Sequence, residues 1–215
     1  THNSKDNQER YKRTKVIGVY VLDIKKEKVK CFFANVVILA TGGIGNLFQH
    51  TSNPVGATGD GIAMAYRLGA EILNAEYVQF HPTLFFHRDI ERFLITEALR
   101  GEGAKLVNRK GKYFMSKYNS RQKDLAPRDE VTRAIFREME NEDSKYMMLD
   151  ATIIRNINLN ERFPIIYNKC KSVGIYIEKD LIPIVPAAHY FCGGIKTDLF
   201  GRTSIKGLYA IGENA

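Results

Sequence analysis

The stretch Val36-Val37-Ile38-Leu39-Ala40-Thr41-Gly42-Gly43-Ile44-Gly45 decides how the rest of the chain is read. Its apolar half is one strand long, and an unbroken rather than alternating run fits a strand covered on both faces. The glycines that follow suit a chain turning at the end of such a strand. Gly43-x-Gly45-x-x-Phe48 comes near the dinucleotide fingerprint. The third position of that fingerprint must be small so that a helix can approach the strand. Phe48 fails this requirement, which argues against an NAD-dependent dehydrogenase. The glycines then either bring backbone close to a ligand or make a tight turn. Both readings stay open on these residues.

Working outward, residues 1–14 form a polar lead, too charged for a secretory signal core. Residues 16–22 (VIGVYVL) and 28–33 (KVKCFF) read as strands around the charged turn 23–27. Gly59-Asp60-Gly61 leads into IAMAYRLGA, an amphipathic helix with Gly69 as its C-terminal stop. The middle changes character. Residues 76–80 (EYVQF) read as a strand ending at His81-Pro82, and 93–99 as a buried segment. Pro127 opens the helix RDEVTRAIFREME, 146–149 is a strand, and 162–172 is a further helix. Glycines return at Gly193-Gly194, and residues 207–212 (GLYAIG) are another buried strand. The expected fold is α/β, with a partial Rossmann-like part at residues 1–74 and 192–215 and an inserted α+β part at 75–191. Ending just past a strand, the chain reads as a fragment.

Composition narrows the function classes. The 215 residues carry a net charge of +8, but Lys and Arg are spread thinly, without the aromatic-interleaved blocks of a nucleic-acid binder. No apolar run approaches the roughly 20 residues of a membrane span. Cys31, Cys170 and Cys192 share no CxxC spacing, as expected of reduced thiols in the cytoplasm. No cluster with metal-ligand spacing and no serine nucleophile elbow is present.

The candidate site residues concentrate in the middle part. Gln79 and His81 share one face of their strand, because side chains alternate with period two. Glu97 and Arg100 are three apart, so in a helix they pair, either as a plain salt bridge or as part of a site. Arg128 starts a helix, where the macrodipole disfavours a cation unless an anion is near. That anion is either Asp129 or a ligand carboxylate, which matches guanidinium geometry. His189 adds a second imidazole beside Gly193-Gly194. In the glycine-rich part, Asp60 either caps its helix or takes a hydroxyl of a nucleotide cofactor. Glu213 follows a strand, at the edge where open sheets bind ligands.

FLITEALRGEGA (93–104), LAPRDEVTRAI (125–135), PIVPAAHYFCGGI (183–195) and GLYAIGE (207–213) resemble the L-aspartate oxidases. These belong to the succinate dehydrogenase/fumarate reductase flavoprotein superfamily, and the resemblance runs from about Val36 to Ala215. It implies non-covalent FAD in a Rossmann-like domain with an inserted capping domain. It also implies oxidation of L-aspartate to iminoaspartate, with O2 or fumarate as acceptor, in NAD biosynthesis, and coupling to quinolinate synthase. Residue by residue, Asp60 and Glu213 match FAD-binding positions, with Thr41, Gly42 and Gly43 close to the cofactor. Gln79, His81, Thr96, Glu97 and His189 match positions that hold the dicarboxylate. Arg128 matches the proton donor or acceptor, and Glu97 with Arg100 the superfamily's proton relay. A fumarate reductase or succinate dehydrogenase flavoprotein subunit is the alternative, and a basic non-enzymatic binding module a remote one. The family's GxGxxG segment and its further substrate arginine have no match in these residues. The chain alone is therefore expected to hold FAD weakly and to be inactive.

Overall fold

In chain order, a computed structural model has strands β1 (Gly18–Asp23), β2 (Lys28–Phe33) and β3 (Val37–Leu39), then helix α1 (Asp60–Arg67) and strand β4 (Ile72–Leu73). Next come β5 (Val78–Phe85), α2 (Glu97–Gly101), β6 (Lys105–Val107), α3 (Met115–Tyr118) and α4 (Arg128–Asn141). The remainder is β7 (Met147–Asp150), α5 (Leu159–Arg162), α6 (Pro164–Lys171), β8 (Ile182–Phe191), β9 (Gly194–Ile195) and β10 (Leu208–Ala210). The structure describes residues 14–88 and 92–215. Nearly all of the polar lead read at residues 1–14 lies outside them.

Contacts divide the chain into two units, each with its own core. Of the described residues, the first comprises 14–44, 55–78 and 191–215. Here β1 and β2 form an antiparallel hairpin, with Gly18 opposite Phe33 and Asp23 opposite Lys28. β3 pairs in parallel with β10, Val37 beside Leu208 and Leu39 beside Ala210. Parallel pairing of strands so distant in sequence is the mark of an α/β arrangement. Helix α1 is bounded by left-handed glycines, Gly59 (φ 78°) before it and Gly69 (φ 87°) after it, as glycine's freedom from a Cβ allows. Ala65, Ala70, Ile195, Ile205, Leu208 and Ala210 make the core, with Val37 and Leu39 against it. Ile38 is 58% exposed, so β3 is covered on one face among the described residues, not on both as its sequence suggests. Val37 and Leu39 point to the core, and the alternation of a strand turns Ile38 away from it.

Of the described residues, the second unit comprises 45–54, 79–88 and 92–190. Its four-stranded sheet runs in the order β5-β8-β7-β6, with β7 antiparallel to both β6 and β8. Helix α4 turns Val131, Ala134, Ile135 and Glu138 inward, the spacing of one helical face. Leu99, Leu106, Met147, Leu149, Ile182 and Ile184 are among its fully enclosed partners. Buried Glu138 is satisfied by Tyr118 Oη at 2.6 Å, Asn108 Nδ2 at 3.2 Å and Lys117 Nζ at 3.3 Å.

Several elements differ from the sequence reading. β5 does not stop at His81-Pro82 but continues to Phe85. Proline removes one donor, yet Thr83 and Phe85 beyond it bond to the segment alongside, through Ile95 N–H to Thr83 O and Phe85 N–H to Phe93 O. Helix α4 begins one residue after Pro127. The helix read at 162–172 is two pieces, because Pro164 opens α6 afresh. Residues 45–54, read with the glycine-rich part, group with the second unit because they bond to β8.

Candidate functional site

In the second unit, β5 and β8 carry the histidines. Ring centroids of His81 and His189 lie 5.4 Å apart. His81 is 1% exposed. Burial, reinforced by the charge of Arg128, by His189 and by Arg100, pulls its pKa down to about 3. The ring is therefore neutral at ordinary pH. Its Nδ1 accepts the Thr83 N–H at 3.2 Å, so the one ring proton sits on Nε2 and makes His81 a neutral donor.

Arg128, at the first turn of α4, closes the cluster. Its Nε donates to Glu97 Oε2 at 2.9 Å and its Nη1 to Gln79 Oε1 at 2.9 Å. The anion beside Arg128 is thus Glu97. Asp129, the neighbour considered from sequence, instead pairs with Arg133 at 2.6 Å. Thr96 caps α2 by accepting the Ala98 N–H at 3.3 Å, which sets Glu97 at the start of the helix and Arg100 one turn on. Arg100 Nη2 stands 3.6 Å from Glu97 Oε1. The Arg100 side chain is fully enclosed, and its Nη1 donates to the Asp124 carbonyl. Among the described residues its Nε and Nη2 have no hydrogen-bond partner, and burial lowers its pKa. Glu97 therefore faces a guanidinium on either side, with the histidine pair and Gln79 adjoining. An apolar groove of about 600 Å³, lined by Phe48, Phe80, Phe136 and Val185 among others, contains none of these six side chains.

The residues matched to a cofactor lie in the first unit, Thr41, Gly42, Gly43 and Glu213 past the carboxyl ends of β3 and β10 and Asp60 at the start of α1. Gly42 is left-handed (φ 75°), with open space where a side chain would be. Gly43 is different, since a methyl group there would overlap the Glu213 carboxylate. Gly61, likewise, has the Thr41 hydroxyl where a Cβ would stand. Glu213 Oε1 also accepts the Phe191 N–H at 2.8 Å, and Gly59 N–H bonds to Gly43 O at 3.1 Å. Gly43 and Gly61 thus let the Glu213 and Thr41 side chains pack closely against the loop backbone. Asp60 does not cap α1, whose N-cap is Gly59. Its exposed carboxylate accepts the Thr58 hydroxyl at 3.0 Å. Exposed Thr41, the open backbone at Gly42, an exposed acid at a helix N-terminus and a carboxylate at the strand ends fit a nucleotide cofactor with hydroxyl donors.

The sequence reading did not single out Ser52 or Asp124. Ser52 Oγ lies 2.7 Å from His189 Nδ1, 137 positions away, and no local pattern announces such a contact. Among the described residues no group of His, Cys, Asp and Glu could hold a metal ion, and no helix is long and apolar enough to cross a membrane.

Residues 4–215 match the FAD binding domain family. The chain belongs to that family. It is 50% identical over 198 residues to L-aspartate oxidase 1 of Ralstonia nicotianae, covering 92% of this chain and 37% of that protein. To L-aspartate oxidase of Yersinia pestis it is 50% identical over 199 residues, 93% of this chain and 37% of the relative. Among solved structures, a quinol-fumarate reductase with menaquinol molecules superposes with a TM-score of 0.84 at 33% identity, over 94% of this chain and 37% of that one. The chain thus spans a little over a third of the length of these relatives. Its mixed α/β architecture is that of the FAD-binding domain in the succinate dehydrogenase/fumarate reductase flavoproteins, with FAD as the family's cofactor.

Proposed function

We propose that the chain is the part of an FAD-dependent L-aspartate oxidase that holds the substrate and one side of the cofactor. In this reading the second unit is the capping domain. The observation that carries it is Glu97 held at 2.9 Å by Arg128 and 3.6 Å from Arg100, beside the histidine pair. A four-carbon diacid needs several donors. His81 Nε2–H, His189, the Thr96 hydroxyl and the Arg128 guanidinium supply them, and neutral His81 keeps its donor across ordinary pH. Gln79 and Glu97 fix the plane of the Arg128 guanidinium, so its outer edge is preorganised for an anion.

A bound flavin supplies the two-electron acceptor that takes the substrate's Cα hydrogen as hydride. The amino group loses a proton in the same oxidation, leaving iminoaspartate. A guanidinium is a poor proton carrier, so the part of Arg128 is to orient the substrate and stabilise charge, while the Glu97 carboxylate takes the proton and Arg100 steadies it. Thr41, Gly42, Gly43, Asp60 and Glu213 would hold FAD. The final acceptor would be O2, giving H2O2, or fumarate, in NAD biosynthesis in the cytoplasm, with the product passing to quinolinate synthase. The likeness to a fumarate reductase favours a second reading, a fumarate reductase or succinate dehydrogenase flavoprotein subunit. The deciding experiment offers L-aspartate, L-glutamate, succinate and fumarate to the full-length, flavin-loaded protein. Peroxide release with L-aspartate is expected. Succinate oxidation without aspartate turnover would replace the first reading by the second.

A further inference from the structure

The segment 51–53 is strapped onto β8 at His189. Ser52 N–H donates to Ala188 O at 3.0 Å, and Ala188 N–H to His50 O at 2.9 Å. Thr51 Oγ1 also donates to Ala188 O at 3.0 Å, and Asn53 Nδ2 to His189 O at 2.8 Å. The backbone on both sides of the imidazole is therefore fixed, and Ser52 Oγ meets the ring itself at Nδ1, 2.7 Å away. Gly45 belongs to the same device, because a side chain there would overlap the Asn53 amide and the Thr51 hydroxyl. The last glycine of the Thr41–Gly45 run thus makes room for the strap.

We propose that Ser52 is a positioning residue for His189: its hydroxyl donates to Nδ1 and keeps the ring proton on Nε2. The inference rests on the dicarboxylate reading of the site, since an anion is bound by an N–H and repelled by a ring lone pair. The two histidines are then matched. Thr83 N–H occupies Nδ1 of His81 at 3.2 Å and Ser52 occupies Nδ1 of His189, so both rings offer Nε2–H. A hydroxyl on a strap of backbone bonds orients a ring more firmly than a water molecule would.

The test uses the full-length, flavin-loaded protein and the variants Ser52→Ala and Ser52→Thr. Nitrogen NMR of His189 should show Nδ1 unprotonated in the unaltered protein and a tautomer mixture in Ser52→Ala. The KM for L-aspartate should rise roughly tenfold in Ser52→Ala, with kcat within about twofold and flavin content unchanged. Ser52→Thr, which keeps the hydroxyl, should restore KM. A protonated Nδ1 in the unaltered protein, or a Ser52→Ala protein with unchanged tautomer and KM, would overturn the proposal. The NMR result on the unaltered protein decides even where Ser52→Ala does not fold. Absence of any dicarboxylate turnover in the unaltered protein would instead defeat the functional reading, and the tautomer measurement separates the two failures.

Discussion

The two units solve the problem of burying apolar surface differently. In the second, β5 to β8 and the helices enclose a continuous core, with Leu99, Leu106, Met147, Leu149, Ile182 and Ile184 wholly buried. In the first, the β1–β2 hairpin leaves Tyr20 78%, Ile24 82% and Phe33 82% exposed. The two-stranded β3–β10 pair rests on a smaller set of side chains. The difference shows in where polar groups are tolerated. A wholly enclosed Arg100 and a neutral buried His81 persist in the second unit because closed packing and named partners hold them. The first unit keeps Asp60 exposed at the start of α1 and Glu213 half-buried against Gly43. On the proposed reading, buried polar groups in a tight scaffold suit substrate orientation, and an exposed acid with open backbone at Gly42 suits a large cofactor.

Changes that separate these roles should break or sharpen the contrast. The largest effect is expected for Arg128→Leu in the full-length protein. Turnover should fall about a thousandfold or more, with FAD content near normal by absorbance. Loss of FAD with unchanged activity per bound flavin would make Arg128 structural. Leu149→Ala should cost about 2–5 kcal/mol of stability, read by urea unfolding through tyrosine fluorescence, as the chain has no Trp. A loss under ~0.5 kcal/mol would mean that the second core is not closed.

Gly43→Ala forces a methyl group against Glu213 and should weaken FAD retention about tenfold, while L-aspartate KM in fully loaded protein stays the same. An equal change in both would blur the division of roles. His81→Ala should raise KM about tenfold with a smaller change in kcat. With its folded pKa down at about 3, His81 binds more protons unfolded than folded between roughly pH 3 and 6.5. Its contribution to stability is therefore present above that window and lost as pH falls through it, and His81→Ala should flatten the acid limb of the stability profile. An unchanged limb would show that His81 is not held neutral. Least of all, Phe33→Ser should alter stability of this chain by under ~0.5 kcal/mol, since the side chain is already in water.

Much of the architecture was legible along the chain. Alternation and turn residues mark β1 and β2, helical spacing marks α1 and α4, and glycine marks the end of α1. β8 escaped because Pro183 and Pro186 lie within it, and prolines read locally as breaks. β5 was cut short at Pro82 for the same reason. Burial of Leu84, Val185 and Ala187 outweighs the donors those prolines lack. At the site, Glu97–Arg100 was readable because helix geometry brings residues three apart together. Arg128–Glu97, 31 positions apart, was not, and local reasoning named Asp129 or a ligand carboxylate as the counter-ion.

Residue types and short-range periodicity by themselves determined the α/β character, the candidate side chains and their resemblance to a flavoprotein family, because strands, helices and caps follow from neighbours within a few positions. Only tertiary structure decided which charges meet, which histidine nitrogen carries the proton, and that Gly45 serves a strap on β8. These depend on contacts between segments far apart in the chain, where burial and hydrogen-bond geometry, not spacing, set the outcome.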